Sequence, residues 1–421
     1  MRNRIWMFLI LTFSCAQLLP AQAQSKISTI EEILKLPEEQ IDIGFASLVM
    51  AKEFYPNLNI EFFLYAFDYM AQRFNHYFGH LKSPEDRVRA LNSYLYRKGV
   101  WNDSITFSYD DDDLHTTRLS NKFINGYIAT KKGSCITMPL LYVILGERLG
   151  WPIHPVRSAK HFFIRYLNDQ SVPNFQENIE ATNGGGYLSN KQYQEDVLIP
   201  EKAIKNGVFL KTLPKKEYLA SLLLTNANEY IASKNIDKAK QYLLLAMKYD
   251  STFSSAYWNY GLIHFAIARE IEEKMENEQQ AAITYFQALE IGDRNAQSYA
   301  PITPKTEPVN NPVSEIISKP PQPFEFERVD VFSQDRDRIP QPPATNPKAN
   351  PQRHVPSYSN DLQQTLMDIE REYAPSILAN LDIYRKYRNK AEELGVVREF
   401  PTKFFLKQAE SIKKFKEKGG Y

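Results

Sequence analysis

The sequence predicts an α+β protein with more helix than strand, and three observations lead to that class. Residues 28–98 carry helical periodicity. Residues 152–186 are short runs of β-branched and aromatic residues bounded by Pro, Asn and Gly, and the pattern becomes helical again from Tyr218. Helices that flank a small group of strands are typical of α+β domains. We therefore expect one mixed domain followed by an all-helical region.

The first 23 residues have the three zones of a secretory signal peptide. Residues 1–4 are basic, residues 5–20 are apolar, and residues 21–23 supply the small side chains of a cleavage site. The apolar run is shorter than the ~20 residues that span a bilayer, and no later segment is apolar enough to do so. We expect cleavage near Ala23, an exported protein that is periplasmic or secreted, and no membrane span in the mature chain.

Composition divides the mature chain into four parts. Residues 24–205 form the mixed domain with its N-terminal helical part, in which Ser83 precedes Glu85 and Asp86 as a helix N-cap. The parts that follow are a helical region (206–295), a proline-rich linker (296–357) and a C-terminal helical segment (358–421). Residues 300–356 hold 13 of the 25 prolines. A segment of this kind buries too little apolar surface to fold, so we expect a disordered linker.

The helical region contains a weak internal repeat of small and large residues. In the first copy Ala227 and Ala239 lie on two helices split near residue 233, and in the second copy Gly261 and Ala281 flank an insertion at residues 271–278. The spacing resembles that of tetratricopeptide repeats, in which small residues let paired helices approach closely. Such a region would offer a surface to a protein or peptide partner. Ordinary helical hairpins are the alternative.

Charge and cysteine content narrow the function classes. The net charge of +1 gives no electrostatic case for binding nucleic acid. Cys15 lies in the signal segment, so Cys135 is the only cysteine of the mature sequence. In an oxidising compartment an odd cysteine suggests either an intermolecular disulfide or a reactive thiol.

Cys135 follows Gly133 and Ser134 at the start of an apolar helix. A helix N-terminus supplies partial positive charge and unpaired N–H groups, which favour a thiolate. Pro139 lacks an N–H and is tolerated near a first turn but not in a helix interior, so the helix should begin within a few residues of Cys135. We expect the thiol at the front edge of the helix.

A thiolate nucleophile needs a base with a pKa near the working pH, which is normally histidine. His161 opens the alternating run HFFIRYL, and Glu180 lies on a candidate neighbouring strand, where its carboxylate could fix the imidazole tautomer. Taken singly, the three residues are ordinary: a small buried hydrophobe, a core histidine and a surface carboxylate. In this order and context they predict a site made of Cys135, His161 and Glu180.

The segments GSCITMPLLYVILGERLGWPIHPV, KHFFIRY and NIEATNGG resemble the transglutaminase-like superfamily of papain-type cysteine enzymes. More narrowly, they are similar to a bacterial branch often joined to tetratricopeptide repeats. The resemblance covers roughly residues 90–200. It implies a papain-type core in which nucleophilic Cys135, general base His161 and orienting Glu180 act on an amide through a thioester. Glutamate stands where most of the superfamily has aspartate, and either carboxylate can accept the imidazole N–H.

Four further residues are candidates for binding roles at this site. Trp151 and Arg157 follow the Cys135 helix closely in sequence and are candidates for substrate contact. For the oxyanion of an acyl intermediate, the backbone N–H of Cys135 is the expected donor. Asn125 and Tyr127 are the side-chain donors that stand out between Asn121 and Cys135, and the second donor stays unassigned.

We expect neither a metal nor a cofactor. His76 and His80 share a helix face, but no glutamate follows His76 in the HExxH manner. Residues 110–113 lack the alternating ligands and central glycine of a calcium loop and read as a solvated acidic turn. Residues 183–186 lack the lysine and following helix of a phosphate site and read as a turn that ends a strand.

The main hypothesis is an exported cysteine-dependent amide-bond enzyme, a hydrolase or acyltransferase that acts on a peptide or protein. Hydrolysis is favoured because no residue visibly excludes water from the site. The alternative is a catalytically inactive transglutaminase-like protein that binds or scaffolds in the cell envelope. A third option, a disulfide-linked dimer through Cys135, requires an exposed thiol.

Overall fold

The computed structural model describes residues 27–159, 161–167, 175, 177–300 and 360–395. They divide into two compact units. The first unit comprises the chain up to Asn190 together with Leu210–Leu222. The second unit comprises Lys191–Phe209 together with the chain from Leu223 onward. The predicted domain boundary at residue 205 differs from this division because the chain returns to the first unit after it.

Four helices open the first unit where the sequence predicts them. Each begins after a side chain that accepts a backbone N–H of the first turn, which satisfies one of the unpaired donors of a helix N-terminus. Ser83 accepts the N–H of Asp86 at 3.1 Å, so the predicted N-cap is confirmed. The other capping residues are Thr29, Asp42 and Asn59. The helices are α1 (Ile30–Lys35), α2 (Ile43–Lys52), α3 (Ile60–Phe78) and α4 (Pro84–Tyr96).

Short elements connect α4 to the central helix. Strand β1 (Ser108–Tyr109) pairs in parallel with β2 (Lys132–Gly133), and Tyr109 lies opposite Gly133. Between the two strands come α5 (Leu119–Lys122) and α6 (Ile124–Thr130). This parallel pair fixes the backbone that leads directly into residues 134 and 135.

The acidic turn after β1 differs from its prediction as a solvated turn. Asp110 and Asp113 are 3% and 6% exposed, and the Asn121 side-chain amide donates to both carboxylates at 2.8 and 2.7 Å. Asp113 also accepts the N–H groups of Thr117 and Arg118. Buried carboxylates are tolerated when hydrogen bonds replace their water, so this turn is a structural joint.

Helix α7 (Thr137–Leu149) forms the centre of the first unit, and its first ten residues are all buried. A helix that is apolar on every side belongs in a core. Gly146 lets the following strand approach, since a Cβ there would lie 2.8 Å from Ile153 Cβ. Gly150 ends the helix in the left-handed conformation at φ 66°.

Three antiparallel strands pack beside α7 in the order β3 (Ile153–Ser158), β4 (His161–Tyr166) and β5 (Asn178–Ile179). The strands β3 and β4 form a hairpin in which Ser158 lies opposite His161. Strand β5 pairs with the second half of β4, with Ile164 opposite Ile179. The predicted strands are therefore present.

The other edge of β3 is covered by the returning segment 210–213. Thr212 forms a bridge with Val156, and the N–H groups of Leu210 and Leu213 donate to the carbonyls of Arg157 and Pro155 at 2.8 and 2.9 Å. These bonds satisfy an edge that would otherwise present unpaired donors and acceptors.

Helices carry the rest of the described chain. Helix α10 begins in the first unit and continues into the second, and the break before α11 falls at residues 233–235, where the sequence predicts it. The six helices are α8 (Asn190–Asp196), α9 (Glu201–Lys205), α10 (Lys215–Ala232), α11 (Ile236–Tyr249), α12 (Ser254–Glu290) and α13 (Asn360–Glu393).

The insertion predicted at residues 271–278 lies inside one continuous helix. Helix α12 runs for 37 residues through that segment. The segment contains Glu, Lys, Met and Ile without Gly or Pro, so nothing in it stops a helix. Helix α13 packs along α12 around Ala282, Leu362 and Ile369. We therefore describe this part of the second unit as a pair of long helices.

Some predicted features lie outside the described residues: the signal peptide (1–23), linker residues 301–357 and C-terminal residues 396–421. The first linker residues end the described stretch in a 3₁₀ turn, Ala296–Tyr299. Within the part of the chain that the structure describes, no helix combines the length and apolar character needed to cross a bilayer.

Candidate active site

Cys135 lies two residues before the first helical residue of α7, in the turn that enters the helix. Ser134 Oγ accepts the N–H of Ile136 at 3.1 Å, and Thr137 Oγ1 accepts the N–H of Ser134 at 3.0 Å. These bonds hold the entry turn in one conformation. The half-buried thiol is thus at the positive end of a buried helix, as Pro139 predicts from the sequence.

Gly133 explains how this turn can sit so deep in the unit. A Cβ at Gly133 would lie 2.6 Å from the Tyr127 ring and 2.8 Å from Thr137 Oγ1. Only glycine fits at such a distance without displacing both neighbours. The next residue, Ser134, is 1% exposed and its hydroxyl donates to the Asn121 carbonyl at 2.7 Å. The backbone before Cys135 is therefore fixed on both sides.

His161 is the first residue of β4, and its ring joins the thiol to the acid. Its Nε2 lies 2.7 Å from Glu180 Oε2, and its side chain forms a hydrogen bond with Cys135. Since Nε2 faces Glu180, Nδ1 is the ring nitrogen that remains to face the sulfur. The structure therefore brings Cys135, His161 and Glu180 into one chain of hydrogen bonds.

Glu180 follows β5 and is 4% exposed. While Oε2 faces His161, Oε1 accepts the N–H of Thr182 at 3.0 Å and the Thr182 hydroxyl at 2.6 Å. Both carboxylate oxygens are thus occupied, which fixes the orientation of the group. Thr182 is a residue that sequence reasoning missed, although a hydroxyl two residues after an acid is a known local capping pattern.

Asn92 ties the Glu180 turn to two helices from a distance in sequence. Its Nδ2 donates to the Gly185 carbonyl at 3.0 Å, and its Oδ1 accepts the hydroxyl of Tyr142 on α7. Gly185 has φ 80°, and a Cβ there would lie 1.9 Å from Asn92 Oδ1. No local pattern marks Asn92, because its partners are 50 and 93 residues away along the chain.

The electrostatics of the site favour an imidazolium. Burial is the largest single influence on His161 and lowers its pKa. The charge of Glu180 and the hydrogen bond and charge of Cys135 together outweigh burial and raise the pKa of His161 to about 10. The imidazole therefore keeps its second proton through the neutral range.

This arrangement can perform nucleophilic chemistry. A proton passed from the Cys135 sulfur to the His161 ring would leave a sulfur nucleophile at the front of a helix and an acid beside it for a leaving group. Glu180 keeps the ring in the required orientation. The group has the parts and the order of a nucleophile, a base and an orienting acid.

Trp151 follows the far end of α7, and its predicted substrate contact stays a prediction. Helix α7 rises about 20 Å over its length, and Trp151 follows its far end while Cys135 precedes its near end. The Trp151 ring packs edge-on against Phe74 at 5.2 Å and faces the Arg87 guanidinium at 5.5 Å. It serves the packing between the helices and β4.

Arg157 lies on the face of the β3–β4 hairpin opposite to His161, and its predicted substrate contact stays a prediction. Directly opposed strand residues share a face, so Ser158 and His161 point to one side of the hairpin and Arg157 and Phe162 to the other. Arg157 is 3% exposed, and its Nη1 donates to Ser221 Oγ on α10 at 2.7 Å. The closeness of Arg157 to Cys135 in sequence did not indicate which face of the hairpin carries its side chain.

The two upstream side chains considered for the oxyanion are both buried. Asn125 is 5% exposed and Tyr127 is fully buried, with its ring against Phe107 and Gly133. Among the described residues, the Tyr127 hydroxyl has no hydrogen-bond partner. Neither side chain reaches a surface from which substrate could approach. As for metals, no three His, Cys, Asp or Glu side chains converge to hold an ion within the described ranges.

Comparisons with known proteins give distant relatives. Two curated proteins, each named "UPF0162 protein", come from Xylella fastidiosa strains 9a5c and Temecula1 / ATCC 700964. They are 23% and 22% identical over 167 and 165 residues, which are 38% of this chain in both cases and 53% and 52% of the relatives. The chain thus spans about half the length of the curated relatives it matches. No solved structure matches.

A family model matches a longer stretch than the motifs predict. The resemblance in sequence covers roughly residues 90–200, whereas the match begins within α3 and ends within α10. It therefore includes the helices before the site and the segment that covers the edge of β3. Residues 63–223 match the model of the transglutaminase-like superfamily.

Proposed function

We propose that this protein is an exported cysteine-dependent amide-bond enzyme that hydrolyses a peptide or protein. The observation that carries the proposal is the hydrogen-bonded chain from Cys135 through His161 to Glu180 at the front of a buried helix. The superfamily match of residues 63–223 supports the same class of chemistry.

In the proposed reaction, the Cys135 thiolate attacks the amide carbonyl carbon, and the C=O π electrons move to oxygen. Collapse of this intermediate re-forms the carbonyl and breaks the C–N bond, and the departing amine takes its proton from the His161 imidazolium. The product is a thioester on Cys135. Water, deprotonated by neutral His161, then attacks the thioester and releases the acid, and the sulfur regains its thiolate form beside the imidazolium.

Two further parts of the proposal concern location and partners. The N-terminal sequence pattern supports export to the periplasm or beyond the cell. The helices after residue 206 would present a surface to a protein or peptide partner, in the manner of a tetratricopeptide-like region. Fractionation of cells that produce the full chain tests export, and release of residues 1–23 is the expected result.

Thiol alkylation tests the activated nucleophile. At pH 6–7 we expect iodoacetamide to modify Cys135 faster than it modifies cysteine in solution, because the neighbouring His161 ring can take the thiol proton. His161→Ala should remove this excess, and His76→Ala, on the exposed face of α3, should not. Mass spectrometry after trypsin digestion identifies the modified residue.

Equal rates for Cys135 and cysteine in solution, unchanged by His161→Ala, would overturn the enzyme proposal and leave a binding module. A dimer band on a non-reducing gel that disappears in Cys135→Ala would instead support the disulfide-linked form.

A further inference from the structure

Glu180 carries a charge that the proposed reaction needs, although water barely reaches it. The residue is 4% exposed, and burial on its own favours the neutral, protonated form of a carboxyl group. A neutral Glu180 would no longer stabilise an imidazolium at His161. The charge therefore needs hydrogen-bond donors inside the protein.

Thr182 supplies two donors to one oxygen of this carboxylate. Its N–H and its hydroxyl donate to Glu180 Oε1 at 3.0 and 2.6 Å, while Glu180 Oε2 lies 2.7 Å from His161 Nε2. Hydrogen bonds to a carboxylate favour its ionised form and are stronger than bonds between neutral groups. The hydroxyl bond also leaves Oε2 as the oxygen that faces the ring.

The backbone of the turn holds Thr182 in this place. The Glu180 carbonyl accepts the N–H groups of Asn183 and Gly185 at 3.1 and 2.9 Å, and the Glu180 N–H donates to the Gly186 carbonyl at 2.7 Å. The acid and the hydroxyl therefore belong to one closed turn, and their separation is fixed by the backbone.

The titratable groups around Glu180 come from three other elements. His161 opens β4, Cys135 lies beyond its ring at the entry to α7, and Tyr96 ends α4. Burial and then the charge of Glu180 raise the pKa of Tyr96, so this phenol stays neutral at working pH. None of these three groups carries a permanent positive charge. The donors of Thr182 therefore matter for the ionisation of Glu180.

We infer that Thr182 is a positioning residue whose hydroxyl keeps Glu180 ionised and turned toward His161. This inference rests on the proposed function and extends its site by one residue. The hydroxyl keeps its own proton throughout the reaction. Its effect reaches the sulfur through Glu180 and His161, because the carboxylate stabilises the imidazolium that forms when the ring takes the thiol proton from Cys135.

The second unit contains the same local arrangement and provides a matched control. Thr252 donates its N–H and its hydroxyl to Asp250 Oδ1 at 2.9 and 2.7 Å, and Asp250 is 2% exposed. Thr252→Val thus removes the same kind of hydroxyl from the same kind of buried acid.

Two pH titrations of the full-length protein test the inference. Protonation of Glu180 is followed by the infrared absorption of its carboxyl group, identified as the band missing in Glu180→Gln. In Thr182→Val we expect this protonation to move to higher pH by about 1 pH unit, for one lost hydrogen bond to a charged group. The fall of Cys135 alkylation by iodoacetamide at acid pH should move in the same direction.

Thr182→Ser keeps the hydroxyl and should restore both titrations, and Thr252→Val should move neither. A lower thermal stability of Thr182→Val with both titrations unmoved would overturn the inference and leave Thr182 as a cap of its turn. Equal shifts in Thr182→Ser and Thr182→Val would also overturn it, since the hydroxyl would then not be responsible. Alkylation of the unsubstituted protein no faster than that of free cysteine would overturn the proposed function, and the infrared titration would still decide whether Thr182 keeps Glu180 ionised.

Discussion

Charged side chains meet at both ends of α7, and the two groups are built differently. At the N-terminal end, Cys135, His161 and Glu180 form one chain of hydrogen bonds. At the C-terminal end, Arg148 forms two bonds with Asp42, at 3.0 and 2.8 Å, and a third with Asp68 at 3.2 Å. Both groups are largely withdrawn from water and both include a carboxylate.

The difference lies in what each group can exchange. Arginine stays protonated at every working pH, so its pair with Asp42 can only hold α7 to α2. In the proposed function, the thiol and imidazole at the other end pass a proton between them, and that transfer creates a nucleophile. Burial and charge therefore do not distinguish a reactive site from a structural one. What would distinguish a reactive site is a proton that can be shared with a nucleophile.

The largest expected effect is a loss of stability at the C-terminal end of α7. Arg148→Ala leaves Asp42 without its charged partner and should lower the free energy of unfolding by about 3–5 kcal/mol, the range for breaking a buried pair. Urea denaturation followed by far-ultraviolet circular dichroism measures it. Alkylation of Cys135 in the folded protein should keep its rate.

Arg89→Ala serves as the control, because its pair with Glu85 is exposed and should be worth less than about 1 kcal/mol. If Arg148→Ala slowed alkylation of protein that remains folded, the two ends of α7 would not be separate in function.

A smaller effect is expected from Glu180→Gln at the reactive end. The amide keeps the shape of the acid but loses the charge, and alkylation of Cys135 at pH 7 should fall about 10-fold, as for other residues that orient a reactive group. Because the Glu180 charge raises the pKa of His161, its loss lowers that pKa. The high-pH limit of activity should therefore move to lower pH.

The free energy of unfolding should also depend on pH through the raised pKa of His161. The pKa of His161 in the folded protein, about 10, exceeds its ordinary value of ~6.5. The stabilisation from its partners is then complete below about pH 6.5 and is lost as the pH rises through about 10. Glu180→Gln should flatten this decline, and Glu85→Gln, on the exposed surface, should not. An unchanged pH profile in Glu180→Gln would remove Glu180 from its proposed role.

The smallest effect is expected at Asn92, which holds the Glu180 turn without touching His161. Asn92→Ala removes the acceptor for Tyr142 and the donor to Gly185 and adds no charge. We expect alkylation to slow by less than about 10-fold, with the high-pH limit moved in the same direction as in Glu180→Gln. Asn75→Ala, exposed on α3, is the comparison. A loss of thermal stability with an unchanged pH profile would make Asn92 a packing residue only.

Local signals were sufficient for the elements that local chemistry decides. The N-cap at Ser83, the start of α7 near Pro139 and the β3–β4 hairpin all follow from residues within a few positions of one another. The insertion expected at residues 271–278 lies within one continuous helix because the segment is made mostly of helix-forming residues.

Long-range placement was harder to predict. Trp151 and Arg157 lie near Cys135 in sequence, but the length of α7 separates the first and strand alternation turns the second to the opposite face. Asn92 reaches the Glu180 turn from well before Cys135, through a hydrogen bond to Gly185 that no local pattern encodes. The order of Cys135, His161 and Glu180 was readable because each residue opens or ends its own element.

The segment 210–213 that covers β3 decides how the first unit can be produced as a shorter polypeptide. A fragment that stops at residue 205 would leave the carbonyls of Pro155 and Arg157 unpaired along an exposed strand. Such an edge recruits strands from other molecules, and oligomers or inclusion bodies are the expected outcome. A fragment extended through Leu222 restores the missing partners and should remain monodisperse.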